Sequence, residues 1–463
     1  MHATSTTGSP PPTVRYAITG ARGGFARTLL AQTPRTDRLR PSVLCDLDAE
    51  GTVALCVELG YPAAALTVCT TPEELAALSD DQTAVITDTA LLAHAAYDVL
   101  VEATGSPGAG TGAARLALTT GRHVVMVSKE VDSVSGVALA ALAEEHGVVY
   151  TPGLGDQPAN LVEWYERTRL LGLDVVAIGK SGEYDLVFDP ATGRVRQLDQ
   201  EVDAPELASL LTLGEDVPAT LAARARAVAD IQRSAAADYC EMGVVANLTG
   251  LVPDVETLHY PVARTAELAD VYALAEDGGV LRRSGAVDVF SVLRLPEEAS
   301  FAGGVFAVVR TGDDASWALL AQKGHVVSRS GRYACLYLPY HLMGVETPLS
   351  ILAAADHHRG SGSRPPAPHA VLAGRARTDL PAGTRLDMGG HHHDVTGVAP
   401  VLLDSADAPR DVAPLYLAAH TTLARDVAAG ELLLLGDLAD PEDALLDTWN
   451  QALTRSPLNT GGQ

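Results

Sequence analysis

Between residues 13 and 150 the chain keeps one rhythm. A short run of β-branched and small apolar residues ends at a turn, an amphipathic stretch follows, and the pattern begins again. Strands are expected at 14–19, 41–47, 84–88, 98–105, 123–130 and 148–150, and helices at 27–32, 113–120 and 133–146. Apolar strands that alternate with helices need both sheet faces covered, so the rhythm predicts an α/β fold with a doubly wound parallel sheet. Ligands of such sheets sit outside the carboxyl ends of the strands.

The first of those ends reads Gly20-Ala-Arg22-Gly23-Gly24-Phe25-Ala26. This G-x-x-G-x-x-A is a spacing variant of the dinucleotide fingerprint. Gly20 permits the tight turn, Gly23 lets backbone approach a pyrophosphate, and Ala26 lets helix and strand pack closely. The helix start offers free N–H groups to phosphate. Asp46 ends the second strand, twenty-six residues after Gly20. An acid there suits a ribose 2′-hydroxyl and repels a 2′-phosphate, which favours NAD over NADP, with Arg22 arguing the other way. Farther on, Thr104 and Gly105 leave room and a hydroxyl for a nicotinamide ring or ribose.

The 123–130 segment, H-V-V-M-V-S-K-E, ends in Ser128-Lys129-Glu130. The chain has three lysines (Lys129, Lys180, Lys323), whereas Lys and Arg together number 33. Lysine can be desolvated and can exchange a proton; arginine does neither. Lys180 follows a second apolar run, 174–179, so two of the three lysines are expected just beyond strand ends. Either could give, take or polarise the proton of a reacting group.

Of the remaining polar positions, 151–160 reads as a rigid interdomain turn. Asp156 and Gln157 would face the cleft there, with Asn160 beside them. The helix expected at 235–248 carries Asp238 and Glu241 on one face, at i and i+3, and Asn247 on another stripe. Glu241 lies deepest in apolar surroundings and is preferred as the site carboxylate, with a buried, paired structural carboxylate as the close alternative. The catalytic candidates are therefore Lys129, Lys180, Glu241 and Asp156, with Gln157, Asn160 and Asn247 as substrate contacts. Candidate cofactor contacts are Gly20, Arg22, Gly23, Gly24, Phe25, Asp46, Thr104, Gly105, Ser128 and Lys129.

The expected organisation is a tail at 1–12, a dinucleotide domain at 13–155, and an α+β substrate and oligomerisation domain at 156–356. A linker at 357–368, a small β-rich domain at 369–440, and a C-terminal helix and tail at 441–463 complete it. Residues 183–205 read as a substrate-covering excursion, and strands are expected at 279–290, 303–310, 370–376, 384–388, 413–418 and 432–435. The run His391-His392-His393-Asp394 could bind a metal, although three adjacent imidazoles converge poorly on one ion, and no metal is expected. A balance of 58 acids against 33 bases, net −25, argues against nucleic acid and anionic membrane surfaces. Five scattered cysteines, an N-terminus without an apolar signal core and the lack of a long apolar run fit a cytoplasmic protein.

Five stretches carry a family likeness: G-D-Q-P-A-N (155–160), A-I-G-K (177–180), E-M-G-V-V-A-N-L-T-G-L (241–251), G-G-V-L-R-R-S-G-A-V-D (278–288) and L-P-Y-H-L-M-G-V-E (338–346). With them the chain resembles homoserine dehydrogenase-like oxidoreductases with a C-terminal SAF domain, a group that includes deoxyxylulose-phosphate reductoisomerase-like enzymes. The resemblance runs from Val14 to Leu438. It implies NAD(P) on the first domain, Lys129 near nicotinamide and substrate, an SAF-like C-terminal domain, and a homodimer or tetramer. The chain lacks the D-x-E metal cluster of true reductoisomerases and the lysine of the homoserine dehydrogenase helix. The expectation is an NAD(P)-dependent oxidoreductase acting on a small polar hydroxy or carbonyl metabolite, phosphorylated or not. The alternatives are reductoisomerase chemistry and a non-catalytic NAD-binding regulator.

Overall fold

The computed structural model describes residues 12–390 and 393–455. His391, His392, residues 1–11 of the expected tail and residues 456–463 lie outside the described residues.

The first domain is built from strands β1 (Val14–Thr19), β2 (Leu39–Cys45), β3 (Leu66–Val68), β4 (Thr83–Ile86), β5 (Val99–Glu102), β6 (His123–Met126) and β7 (Tyr150–Pro152). They pair in parallel in the order β3-β4-β2-β1-β5-β6-β7. Helices α1 (Gly24–Gln32), α2 (Ala49–Glu58), α3 (Pro107–Thr119) and α4 (Lys129–Glu145) cover its faces. The strand order reverses between β1 and β5, the topological switch of a doubly wound sheet. Gly20, at φ +68, stands at that switch. A Cβ there would lie 2.3 Å from the carbonyl oxygen of Ala103, so only glycine lets the two strand ends meet.

Two boundaries differ from expectation and matter for the site. Helix α4 begins at Lys129, four residues before its expected start, so Lys129 opens a helix and does not end a strand. The stretch expected as a turn at 151–160 divides between β7 and helix α5 (Gln157–Leu170), which makes Asp156 the residue that precedes the helix. Ser-Lys-Glu reads as the polar tip of the preceding strand, yet Glu130 and Asp132 suit a helix's first turn.

The second domain centres on a mixed sheet. Strand β8 (Asp174–Ser181) lies between β12 (Ala286–Arg294, parallel) and β13 (Val305–Arg310, antiparallel), and β14 (Tyr333–Leu338) follows β13. Lys180 therefore sits inside β8, not beyond it. The expected excursion at 183–205 extends this sheet: β9 (Leu186–Asp189) lies parallel to β12, and β10 (Arg194–Gln197) and β11 (Gln200–Asp203) continue it antiparallel. Helices α6 (Val217–Ala227) and α7 (Ala236–Thr249) follow, with α8 (Thr347–His357) after β14. Residues 279–285, expected as strand, lie in turns before β12.

The C-terminal domain pairs β15 (Ala370–Ala376) with β16 (Val398–Asp404) and adds shorter pairings. Of its other expected strands, 384–388 shortens to a pair at Met388–Gly389. Leu415–Ala418 is a helical turn, and Leu432 makes a single bridge to Arg375. One apolar core runs from α7 into this domain, joining Val245 and Leu248 to Leu372, Leu402 and Leu415. Helix α9 (Asp443–Thr454) returns to pack on α4 and α3.

Candidate active site

Three elements converge on one cluster of charges. Lys129, the first residue of α4, donates from Nζ to Glu241 Oε1 at 2.5 Å. Lys180, from β8, pairs with the other oxygen of Glu241 and donates to Asp238 Oδ1 at 2.6 Å. Asp238 and Glu241 are one helical turn apart on α7, which is why a single ammonium can meet both. The Tyr260 hydroxyl donates to Asp238 Oδ2 at 2.5 Å, and the Cys240 thiol lies 3.0 Å from the carbonyl oxygen of Lys129. The Lys180 side chain is wholly buried, whereas 17% of the Lys129 side chain remains exposed.

The charges hold one another ionised. Burial works against a charged Lys129, but Glu241, Asp156 and Glu130 outweigh it and raise its pKa well above the ordinary value. Lys180 is raised in the same sense, by Asp238 and Glu241 against its burial. Burial would lift Glu241, yet the two ammonium groups bring it down to about 2. Asp156 behaves differently: burial and the neighbouring Glu241 charge push it up to about 6, against the pull of Lys129 and Lys180. It is the one carboxyl of this cluster placed to exchange a proton near neutrality.

The dinucleotide side lies across the same crevice. Helix α1 starts at Gly24 with Gly23 at its cap, no capping side chain and no acid in its first turn, which leaves its N–H groups open to a pyrophosphate. Asp46 Oδ2 accepts the backbone N–H of Arg22 at 3.0 Å, so acid and turn share one mouth. The Arg22 guanidinium turns away to Asp48 at 2.6 Å. The Phe25 ring is buried in the core beneath α1, so the expected contact to cofactor is limited to its backbone. At the β5 end the buried Glu102 accepts from Thr104 N at 3.0 Å and Thr104 Oγ1 at 2.6 Å, while Ser128 Oγ accepts from Gly105 N at 2.8 Å. The residues present fit a dinucleotide on these grounds.

Not every expected residue joins the site. Asn247 is two turns beyond Glu241 on α7, and its side-chain oxygen accepts from His369 N (2.8 Å) and Ala370 N (3.0 Å), which anchors the start of β15. Asn160 is likewise engaged, accepting from Gly155 N at 3.0 Å and donating to Glu346 at 3.3 Å. Gln157 is buried, and its Nε2 has no partner among the described residues. Sequence reasoning missed Tyr260, which no local pattern singles out. It also missed His341, in the L-P-Y-H-L-M-G stretch, whose imidazole feels Glu241, Lys180 and Lys129 and is lowered chiefly by burial. Among the described residues no group of three or more His, Cys, Asp or Glu is arranged to hold a metal ion.

The first domain, a parallel sheet with a glycine turn at its topological switch, is of the Rossmann type. Residues 221–347, roughly a quarter of the chain, match the family model described as the catalytic domain of oxidoreductase DRL. That stretch holds Asp238, Glu241, Tyr260 and His341. No curated protein matches the chain. Among solved structures it is similar to the UDP-N-acetylglucosamine 3-dehydrogenase GnnA of Acidithiobacillus ferrooxidans, with 14% identity, 75% of this chain and 90% of that chain covered, and a TM-score of 0.38. The dipicolinate-bound dihydrodipicolinate reductase of Paenisporosarcina sp. TG-14 gives 15% identity, 75% and 97% coverage, and a TM-score of 0.35. A magnesium-bound DOX-P reductoisomerase gives 19% identity and a TM-score of 0.27. The match covers 37% of this chain and spans only 46% of the reductoisomerase. Identities this low bear on fold alone, and no substrate is carried over from them.

Proposed function

We propose that the protein is an NAD(P)-dependent dehydrogenase or reductase acting on the carbonyl or alcohol carbon of a small polar metabolite. The observation that carries this reading is the Lys129–Glu241 pair at the mouth of the dinucleotide crevice, with the lysine head the more open of the two lysines in the cluster. A bound nicotinamide would supply or accept the hydride. Lys129, held as an ammonium, gives its proton to the oxygen of the carbon being reduced and stabilises the charge that develops there. Glu241 orients Lys129, and Asp156 returns a proton to it from solvent. Lys180, sealed beneath, pairs with Asp238, helps hold Glu241 ionised and does not reach the substrate. Resting protonated, Lys129 stands ready as the acid for carbonyl reduction, and the reverse oxidation would return the proton to it. Asp46 at the end of β2 favours NAD(H) over NADP(H).

Fluorescence titration with NADH and NADPH tests the cofactor, and a panel of hydroxy acids, aldehydes and sugar phosphates tests turnover. Lys129→Ala is expected to lower kcat about 100-fold or more, the usual worth of a positioned acid, with NADH affinity nearly unchanged. Turnover within about threefold of wild type, roughly 0.7 kcal/mol, would remove Lys129 from this role.

A further inference from the structure

Two neighbouring residues of the C-terminal domain each hold one of the helices that make the ion pair. His393 Nδ1 pairs with Glu130, the second residue of α4. Asp394 Oδ1 accepts the backbone N–H of Ala236, the first residue of α7, at 3.1 Å, and its Oδ2 accepts from Gln232 Nε2 at 3.1 Å. Helix α4 opens with Lys129, and α7 carries Glu241. The residue preceding α7 is Ala235, which has no side chain to cap a helix. Asp394, 158 positions away in sequence, supplies what a local capping residue would. His393 adopts φ +50, uncommon for a residue with a side chain, and the Tyr416 hydroxyl donates to its carbonyl oxygen at 3.2 Å. Its Cε1 lies 3.8 Å from where a Cβ on Gly105 would stand, at the β5 edge of the dinucleotide crevice.

We propose that His393 and Asp394 form a clamp by which the C-terminal domain sets the Lys129–Glu241 pair and closes the β5 side of the crevice. They are positioning residues. His393 acts through Glu130 on α4, and Asp394 acts through the first turn of α7. The proposal deepens the dehydrogenase reading, on which the use of Lys129 as an acid rests. The clamp itself concerns the pairing of Lys129 and is testable without a substrate. Two adjacent residues gripping two different helices fix the helices' separation more tightly than two independent contacts do, because one short backbone links the grips. The Glu130 carboxylate also raises the His393 imidazole above its ordinary pKa, which strengthens the grip near neutral pH.

The chain's three lysines make the test clean. Acetic anhydride acylates free amines, and peptide mass spectrometry of the full-length protein gives the rate at each lysine. Exposed Lys323 serves as the internal reference, and buried Lys180 reports any unfolding. In the wild-type protein Lys129 reacts more slowly than Lys323. His393→Ala and Asp394→Ala are expected to raise the Lys129 rate relative to Lys323 by about fivefold, the order expected for a lost helix cap. Asp394→Asn keeps an acceptor oxygen and is expected to stay near wild type. Glu256→Ala is the control. It breaks the Arg375–Glu256 pair (both contacts 2.8 Å) between the C-terminal domain and the domain of α7, the pair of domains that Asp394 also joins, and leaves 393–394 untouched. Unchanged Lys129 reactivity in both alanine variants overturns the clamp. So does an equal rise in Glu256→Ala, which would reduce the effect to general domain loosening. If Asp394→Ala exposes Lys180, His393→Ala and Asp394→Asn decide the matter. NADH binding and turnover on the same variants report separately on the dehydrogenase reading. Its failure leaves the labelling result standing.

Discussion

Lys180 is the side chain whose position demands most of its neighbours. A wholly buried ammonium is tolerable only where carboxylates surround it, and here Asp238 and Glu241 do so. Removing the lysine leaves two buried carboxylates sharing Lys129 and the Tyr260 hydroxyl. Lys180→Met should therefore lower the unfolding free energy by about 3–5 kcal/mol, the cost of an uncompensated buried charge. Adding Asp238→Asn should recover part of that loss, so the double variant is less destabilised than the sum of the singles. Urea unfolding of the four proteins checks this, and strictly additive effects would show that the two groups do not share one charge balance. The lysines were legible because the chain uses lysine so sparingly and because Lys180 closes an apolar run. Their joint partner was half legible, since the i, i+3 spacing of Asp238 and Glu241 put both on one face. What the spacing left open was whether that face met a lysine or solvent. The Glu130–His393 pairing was not legible: each stretch stood out by itself, but 263 residues separate the two and no local pattern links them.

At the scale of elements, helices α4 and α7 carry the site and the 338–346 stretch covers its flank. Gly344, at φ +75, rests directly on α1. A Cβ there would lie 2.1 Å from Thr28 Oγ1, 2.7 Å from Phe25 O and 2.8 Å from Leu29 N. The neighbouring Met343 reaches within 3.8 Å of a Cβ position on Gly24, where α1 opens to the phosphates. Gly344→Ala should force the loop off the helix, with a loss of about 2 kcal/mol from left-handed backbone and overpacking together. NADH affinity should weaken with it. Thr28→Ala in the same protein removes the side-chain clash but not the backbone ones, so it should not restore stability. Full recovery of the urea midpoint in that double variant would refute the account. Elements with a strong period were read correctly in kind: the parallel sheet and α7 both follow their apolar pattern. The misread ones are short. Leu415–Ala418 sits in A-P-L-Y-L-A, as apolar as a strand, but a single helical turn buries the same side chains. The start of α4 was missed because Ser-Lys-Glu has a turn's polarity, while tertiary ion pairs make it a helix start.

Across the whole molecule, the site is tied to the sheet beneath it through one buried acid. Asp288 lies on β12, the strand paired with β8, where Val289 stands opposite Lys180. Its carboxylate accepts from His259 N at 3.1 Å and Tyr260 N at 3.4 Å, fixing the segment that brings the Tyr260 hydroxyl to Asp238. Burial pushes Asp288 up to about 6, although His259 and the backbone N–H groups oppose that shift. The folded protein therefore holds this proton more tightly than the unfolded chain does, whose aspartate titrates near 3.8. For such a group the stabilising contribution is fully present below about pH 4 and is lost as pH rises through 6. Asp288→Asn keeps an acceptor for the two N–H groups and removes the titration. The stability of wild type relative to this variant should then fall by about 2.4 kcal/mol between pH 4 and pH 7, since each pKa unit corresponds to roughly 1.4 kcal/mol and the unfolded aspartate is already partly ionised at pH 4. Urea unfolding of both proteins across that range gives the difference directly, and groups that titrate alike in both cancel. A difference that stays flat with pH would mean that Asp288 is ionised in the fold at pH 4. The acid would then act as a fixed charge under the Tyr260 segment, and its link to the Lys180 cluster would be independent of pH.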